Sequence, residues 1–142
     1  MNEELIQFFS EDISFQLSNP GQVSEWIEKI TRSENHLIGF LNFIFCSDDY
    51  LHNINVEHLN HDTFTDIITF DYSDENTISG DIFISIDRVK ENAVSHKSSF
   101  DNELHRVIIH GVLHLLGYKD KQPEDKVEMR QTEDFCLSLR DF

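Results

Sequence analysis

Apolar positions change their period several times along the chain, and each change marks an element. Ile13-Ser14-Phe15-Gln16-Leu17 alternates and predicts a short strand. Asn19-Pro20 then opens a helix, with Asn as the N-cap and Pro in the first turn. Val23, Trp26, Ile27 and Ile30 follow at helical spacing. Residues 38–46 are apolar at both parities, which predicts a central strand covered on both faces. Ser47-Asp48-Asp49 caps a short helix with Leu51 and Ile54 turned inward, and residues 57–64 read as a polar loop. Residues 65–70 and 81–86 are rich in β-formers. Ser73-Asp74-Glu75-Asn76 between them suits a hairpin return. Asp87 is placed to cap a short helix carrying Val89 and Ala93.

The clearest helix starts near Asp101. Leu104, Val107, Ile108, Gly111, Val112 and Leu115 recur at three and four residues, and Gly117 ends it in the left-handed position. Pro123 starts the last helix, whose inward stripe is Met129, Thr132, Glu133, Cys136 and Leu139. These elements predict an α+β fold, a small mixed sheet of about four strands covered by about five helices. With no repeat and no linker, residues 1–142 read as one domain.

Composition narrows the class. The longest apolar stretch is ten residues, 37–46, against the ~20 a membrane span needs. The acidic start, Met1-Asn2-Glu3-Glu4, lacks the basic region of a signal peptide. Cys46 and Cys136 make no zinc or disulfide framework and read as buried, reduced thiols in a cytoplasmic protein. The net charge is −16, with no Lys or Arg between Arg32 and Arg88. Such a chain does not coat nucleic acid non-specifically. Lys119, Lys121, Lys126 and Arg130 form a locally neutral stretch, which by itself reads as a solvated helix face.

The chemistry concentrates after position 104. His110 and His114, one turn apart, project from the same helix face and can share a divalent ion. Gly117 lets the chain turn back, so Asp120 can add a carboxylate. Two nitrogens, one oxygen and an open position describe a catalytic zinc site. The alternative is a pair of satisfied core or surface histidines. His105, five residues before His110, lies off that face. Gly111 stands where a zinc peptidase carries its glutamate base, which weighs against peptide hydrolysis. Asp66 reads either as an acceptor that orients His110 or His114, or as a carboxylate bonding a cap or loop.

His110-Gly111-Val112-Leu113-His114-Leu115-Leu116-Gly117-Tyr118 resembles the signature of the YbeY family, bacterial rRNA maturation factors and metal-dependent endoribonucleases. Thr65-Asp66-Ile67-Ile68-Thr69-Phe70 and Gly80-Asp81-Ile82-Phe83-Ile84-Ser85 resemble two of its strands, in the same order and spacing. The resemblance implies a mixed four-stranded sheet and one zinc ion per chain on His110, His114 and the position of Asp120. It also implies hydrolysis of single-stranded RNA, in 16S rRNA 3′-end maturation and ribosome quality control. No catalytic side chain is assigned beyond the water on the metal.

Two positions depart from the family pattern. Asp120 replaces a third histidine. Leu59 stands near the place of an arginine thought to contact RNA, so Lys119, Lys121, His58 or His61 would have to serve instead. The implied partners are an rRNA precursor and small-subunit ribosomal proteins, with no membrane. The alternatives are a non-catalytic, metal-stabilised ribosome-assembly factor and a metal-dependent hydrolase of another bond.

Overall fold

The structure is a computed structural model that describes residues 5–59 and 65–142. In chain order the elements are β1 (Ile6–Ser10), α1 (Pro20–Ser33), β2 (Leu37–Cys46), α2 (Asp48–Leu59), β3 (Ile67–Asp71), β4 (Thr77–Ser85), α3 (Ile86–Ser95), α4 (Phe100–Leu115) and α5 (Pro123–Ser138). The sheet order is β1-β2-β4-β3. β2 runs parallel to both β1 and β4, and β3 runs antiparallel to β4. Among the described residues this is the expected α+β architecture, a four-stranded mixed sheet with five helices.

The sheet divides the core. Leu41, Phe43 and Phe45 of β2, with Ile82 and Ile84 of β4, bury themselves among Trp26 and Ile27 of α1 and Ile108 and Val112 of α4. Cys46 and Ile68 form a smaller cluster with Leu51 of α2. β2 is therefore central and covered on both faces, as its unbroken apolar run predicts.

Burial pushes the Cys46 thiol up to about 12, with Asp12, Asp48 and Asp87 adding to it. Cys136 is pushed to about 11 by burial and the nearby Glu34 and Glu133. Both are inert in the native state, as their sequence setting suggests.

Several local expectations need correction. The first strand is β1, not residues 13–17. Ile13, Phe15 and Leu17 do pack against the core, with exposed residues between them. However, the segment forms no ladder. Ser10 Oγ donates to the Phe15 carbonyl, Asp12 is in the left-handed region at φ 42°, and its carboxylate accepts from Ser47 N–H and Oγ. The chain turns back on itself instead of pairing.

Asn19 does precede α1, but in the left-handed region at φ 56° and with no side-chain cap bond. The polar stretch from Glu57 to Leu59 is the last turn of α2, and the rest of that expected loop lies outside the described residues. β3 and β4 are joined by the predicted hairpin return, closed by the Asp74–Thr77 bridge. The cap of α3 is Ser85, whose hydroxyl accepts from Arg88 N–H. Asp87 sits in the first turn of α3 and accepts from the Asp48 N–H of α2.

Candidate metal centre

α4 is the element that builds the site. Ser99 caps it, its hydroxyl accepting from Asn102 N–H. Gly117, at φ 106°, takes the C′ position. The Tyr118 N–H bonds back to the Leu113 carbonyl, which turns the chain toward the histidines. Gly111 has a packing reason of its own. A Cβ there would lie 3.0 Å from Ile67 Cδ1 and 3.1 Å from Ile82 Cγ2. The glycine lets α4 close on β3 and β4, so His110 stands against the edge of the sheet.

The three side chains predicted from spacing converge. His114 Nε2 lies 3.0 Å from His110 Nε2 and 3.2 Å from an Asp120 carboxylate oxygen. That oxygen is 3.3 Å from His110 Nε2. Ligands about 2.0–2.1 Å from a tetrahedral zinc are separated by about 3.3 Å, so this triangle has the right size, with one side open. The donor set also fits. Two ring nitrogens facing each other at 3.0 Å beside a carboxylate form a set that a cation satisfies.

Tautomers support the same reading. His110 Nδ1 donates to Glu133 Oε2 at 2.6 Å, and His114 Nδ1 donates to the Tyr118 carbonyl at 3.1 Å. Each bond holds the proton on Nδ1 and leaves the Nε2 lone pair facing the triangle.

Glu133 is the residue that sequence reasoning missed. It is 5% exposed, on α5, and its other oxygen accepts from Arg106 at 3.0 Å. Arg106 also donates to Asp134, clamping α5 to α4. The available signal was a carboxylate within the inward stripe of α5, since a buried acid requires a partner. Burial opposes a charge on His110. The bond and charge of Glu133, with Asp120 and Asp66, outweigh it and raise the imidazole above its ordinary value.

The remaining candidates are placed as follows. Asp66 accepts from Asn92 Nδ2 at 3.2 Å and bonds neither histidine, although its charge acts on His110. Burial is the main reason its carboxyl is raised. His105 is off the metal face, as expected, and buried among Trp26, Phe142 and Arg140. Lys119 and Lys121 are exposed on either side of Asp120. His58 is exposed at the end of α2, edge-on to Phe70. His61 lies outside the described residues.

The triangle lies in an open groove of about 550 Å³ lined by Asn55 and Leu59 of α2, residues 65–69 and Asp71 along β3 and its approach, and Leu115. Among the described residues its charged lining is Asp66, Asp71 and Asp120, with no Lys or Arg. No helix of the described residues is long and apolar enough to cross a membrane.

The family model described as Endoribonuclease YbeY matches residues 6–140. An endoribonuclease YbeY of Cytophaga hutchinsonii is 52% identical over 143 residues, covering 100% of both chains. One from Christiangramia forsetii is 50% identical, covering 98% of this chain and 96% of its own. The solution structure of TM1509 from Thermotoga maritima superposes with a TM-score of 0.66 at 27% identity, covering 94% of this chain and 87% of that one. Full-length identity of this order places the chain in the YbeY endoribonuclease family.

Proposed function

We propose that this chain is a zinc-dependent endoribonuclease that cuts single-stranded RNA, acting in 16S rRNA 3′-end maturation and ribosome quality control. The observation that carries this reading is the triangle of His110, His114 and Asp120, with edges of 3.0–3.3 Å, opening onto a groove in a chain of this family. When bound, zinc supplies Lewis-acid polarisation of a phosphoryl oxygen and makes water a better nucleophile at neutral pH.

The protein's own residues prepare that site. His110 and His114 present Nε2, each ring fixed through Nδ1. Asp120 adds the third donor, and its negative charge strengthens the hold on a divalent ion relative to a neutral ligand. Glu133 keeps the His110 ring from rotating. Gly111 carries no acid, so a peptidase-type glutamate base is absent from that position. The groove beside β3 receives the strand, and Lys119 and Lys121 at its rim meet phosphates.

A second reading has one observation in its favour, the acidic lining of the groove in a chain of net charge −16. In that reading the metal only fastens α4 to the Asp120 segment, and the protein assists assembly by binding basic small-subunit ribosomal proteins. The test is cleavage of a single-stranded RNA by zinc-loaded protein, by chelator-stripped protein and by stripped protein reloaded with zinc. Cleavage lost on stripping and restored by zinc supports the nuclease. Absent scission in all three samples would leave the assembly reading, and equal scission in all three would overturn the dependence on zinc.

A further inference from the structure

β3 is an edge strand, and the hydrogen-bond parity of its pairing identifies which of its backbone groups are unused. Ser85 N–H donates to the Asp66 carbonyl, and Tyr72 N–H donates to the Ser79 carbonyl. With the β3–β4 register pairing Ile68 with Phe83 and Phe70 with Asp81, the even-numbered residues are the ones bonded to β4. Ile67, Thr69 and Asp71 therefore turn N–H and C=O away from the sheet. Thr65 Oγ1 donates to the Ile67 carbonyl. Among the described residues, nothing takes the N–H groups of Ile67 and Thr69 or the Thr69 carbonyl.

These groups repeat every two residues, about 6.8 Å apart. They line the same groove as His110, His114 and Asp120. A row of open edge groups is a template for hydrogen bonding. The groove's side chains decide what it suits. Beyond the metal triangle, the charged side chains along β3 are Asp66 and Asp71, with no Lys or Arg among the lining residues, which disfavours a row of phosphates laid directly on the strand. The edge itself offers alternating donors and acceptors, the pattern found on the Watson–Crick edges of nucleobases.

We propose that the open edge of β3 binds the Watson–Crick edges of unpaired bases, with Thr69 at the centre, and that this contact gives the enzyme its preference for single strands. In a duplex those base edges are already paired, so a duplex cannot present them. The phosphates then lie on the outer side of the groove, toward the rim with Lys119 and Lys121. This inference rests on the endoribonuclease reading and specifies how that site selects its substrate.

The test is amide hydrogen exchange on the zinc-loaded wild-type protein, with and without a 2′-O-methylated single-stranded uridine octamer. The expected result is slower exchange at Ile67 and Thr69 with the octamer. Ile68 and Phe70, already bonded to β4, serve as internal references and stay unchanged. The octamer annealed to its complement should give no protection.

Thr69→Pro removes the outward N–H and no ladder bond, a change that edge strands tolerate. It should weaken octamer binding about 3- to 10-fold, the worth of one hydrogen bond, and leave zinc content intact. Cleavage of unmodified RNA by wild type without protection at Ile67 and Thr69 overturns the inference and leaves the nuclease reading standing. Failure of the zinc-loaded wild type to cleave overturns both. Protection by an extended peptide and not by the octamer also overturns it, assigning the edge to a protein strand.

Discussion

The Glu133 carboxylate lies 2.6 Å from Nδ1 of His110, and the two residues come from different helices, α5 and α4. This single bond ties the orientation of a candidate ligand to the docking of the C-terminal helix. Glu133→Gln preserves shape but removes the charge and weakens the acceptor. Zinc affinity should fall about 10- to 100-fold, the usual effect of losing a ligand's outer partner. Competition with a calibrated chelator measures this, and unchanged affinity would show that His110 does not depend on Glu133.

Metal stoichiometry separates the three candidate ligands. His110→Ala and His114→Ala should each abolish zinc retention. Asp120→Ala should weaken it, because the two imidazoles remain one turn apart on a rigid helix. Elemental analysis that finds one zinc per chain in the His110→Ala/His114→Ala double mutant would place the metal elsewhere.

Gly80 marks where β4 passes close to its neighbours. A Cβ there would lie 2.7 Å from the Phe70 carbonyl oxygen and 3.1 Å from Leu115 Cδ1. The first neighbour is backbone and cannot step aside cheaply. Gly80→Ala should cost about 1–3 kcal/mol by forcing β3 or α4 to shift. The corresponding fall in Tm is about 4–12 °C, read by calorimetry.

His105 makes the fold acid-sensitive. Burial, with Arg140 beside it, lowers its pKa from 6.5 to about 4. Arg140 donates to Nδ1 at 2.7 Å, a bond that requires the neutral ring. The unfolded chain therefore takes up a proton that the native ring refuses. The resulting stability is complete above about pH 6.5 and is lost as pH falls toward 4, up to about 3 kcal/mol. His105→Gln should flatten this part of the denaturation profile. An equally steep loss in the variant would assign the acid sensitivity to other groups.

Lys119 and Lys121 should carry the phosphate contacts at the rim. With two or three contacts the salt dependence is shallow, a slope of roughly −1.4 to −2.1 for a single strand. Lys119→Glu/Lys121→Glu should reduce RNA binding across a salt series without changing zinc content. Binding equal to wild type would move the phosphate path to another surface.

The elements that sequence patterning identified are those whose burial repeats along one chain segment. α4 shows its period in Leu104, Val107, Ile108 and Val112, all buried. His110 and His114 were legible because four-residue spacing on a helix is itself a geometric statement. Residues 13–17 show the limit of such patterning. Their alternation correctly marked which side chains face the core, but not whether the backbone finds a ladder partner. β1, by contrast, carries exposed Phe9 at the sheet edge, so its pattern is blurred. Glu133 was visible as an inward acid, while its partner on α4 was not, because helix–helix contacts across 23 residues leave no periodic trace. The sequence leaves Asp66 open between orienting a histidine and bonding a cap or loop; in the fold its carboxylate accepts from Asn92, a contact between β3's approach and α3 that only the fold creates.

Zinc titration of RNA cleavage tests the central claim most directly. Metal-stripped protein receives zinc in steps, and the initial rate of single-stranded RNA cleavage is followed beside bound zinc. Cleavage that rises in proportion to occupancy and saturates at one zinc per chain, with no rise in the His110→Ala/His114→Ala protein, is the predicted result. A cleavage rate independent of zinc, or zinc-dependent cleavage undiminished in the double mutant, would contradict it.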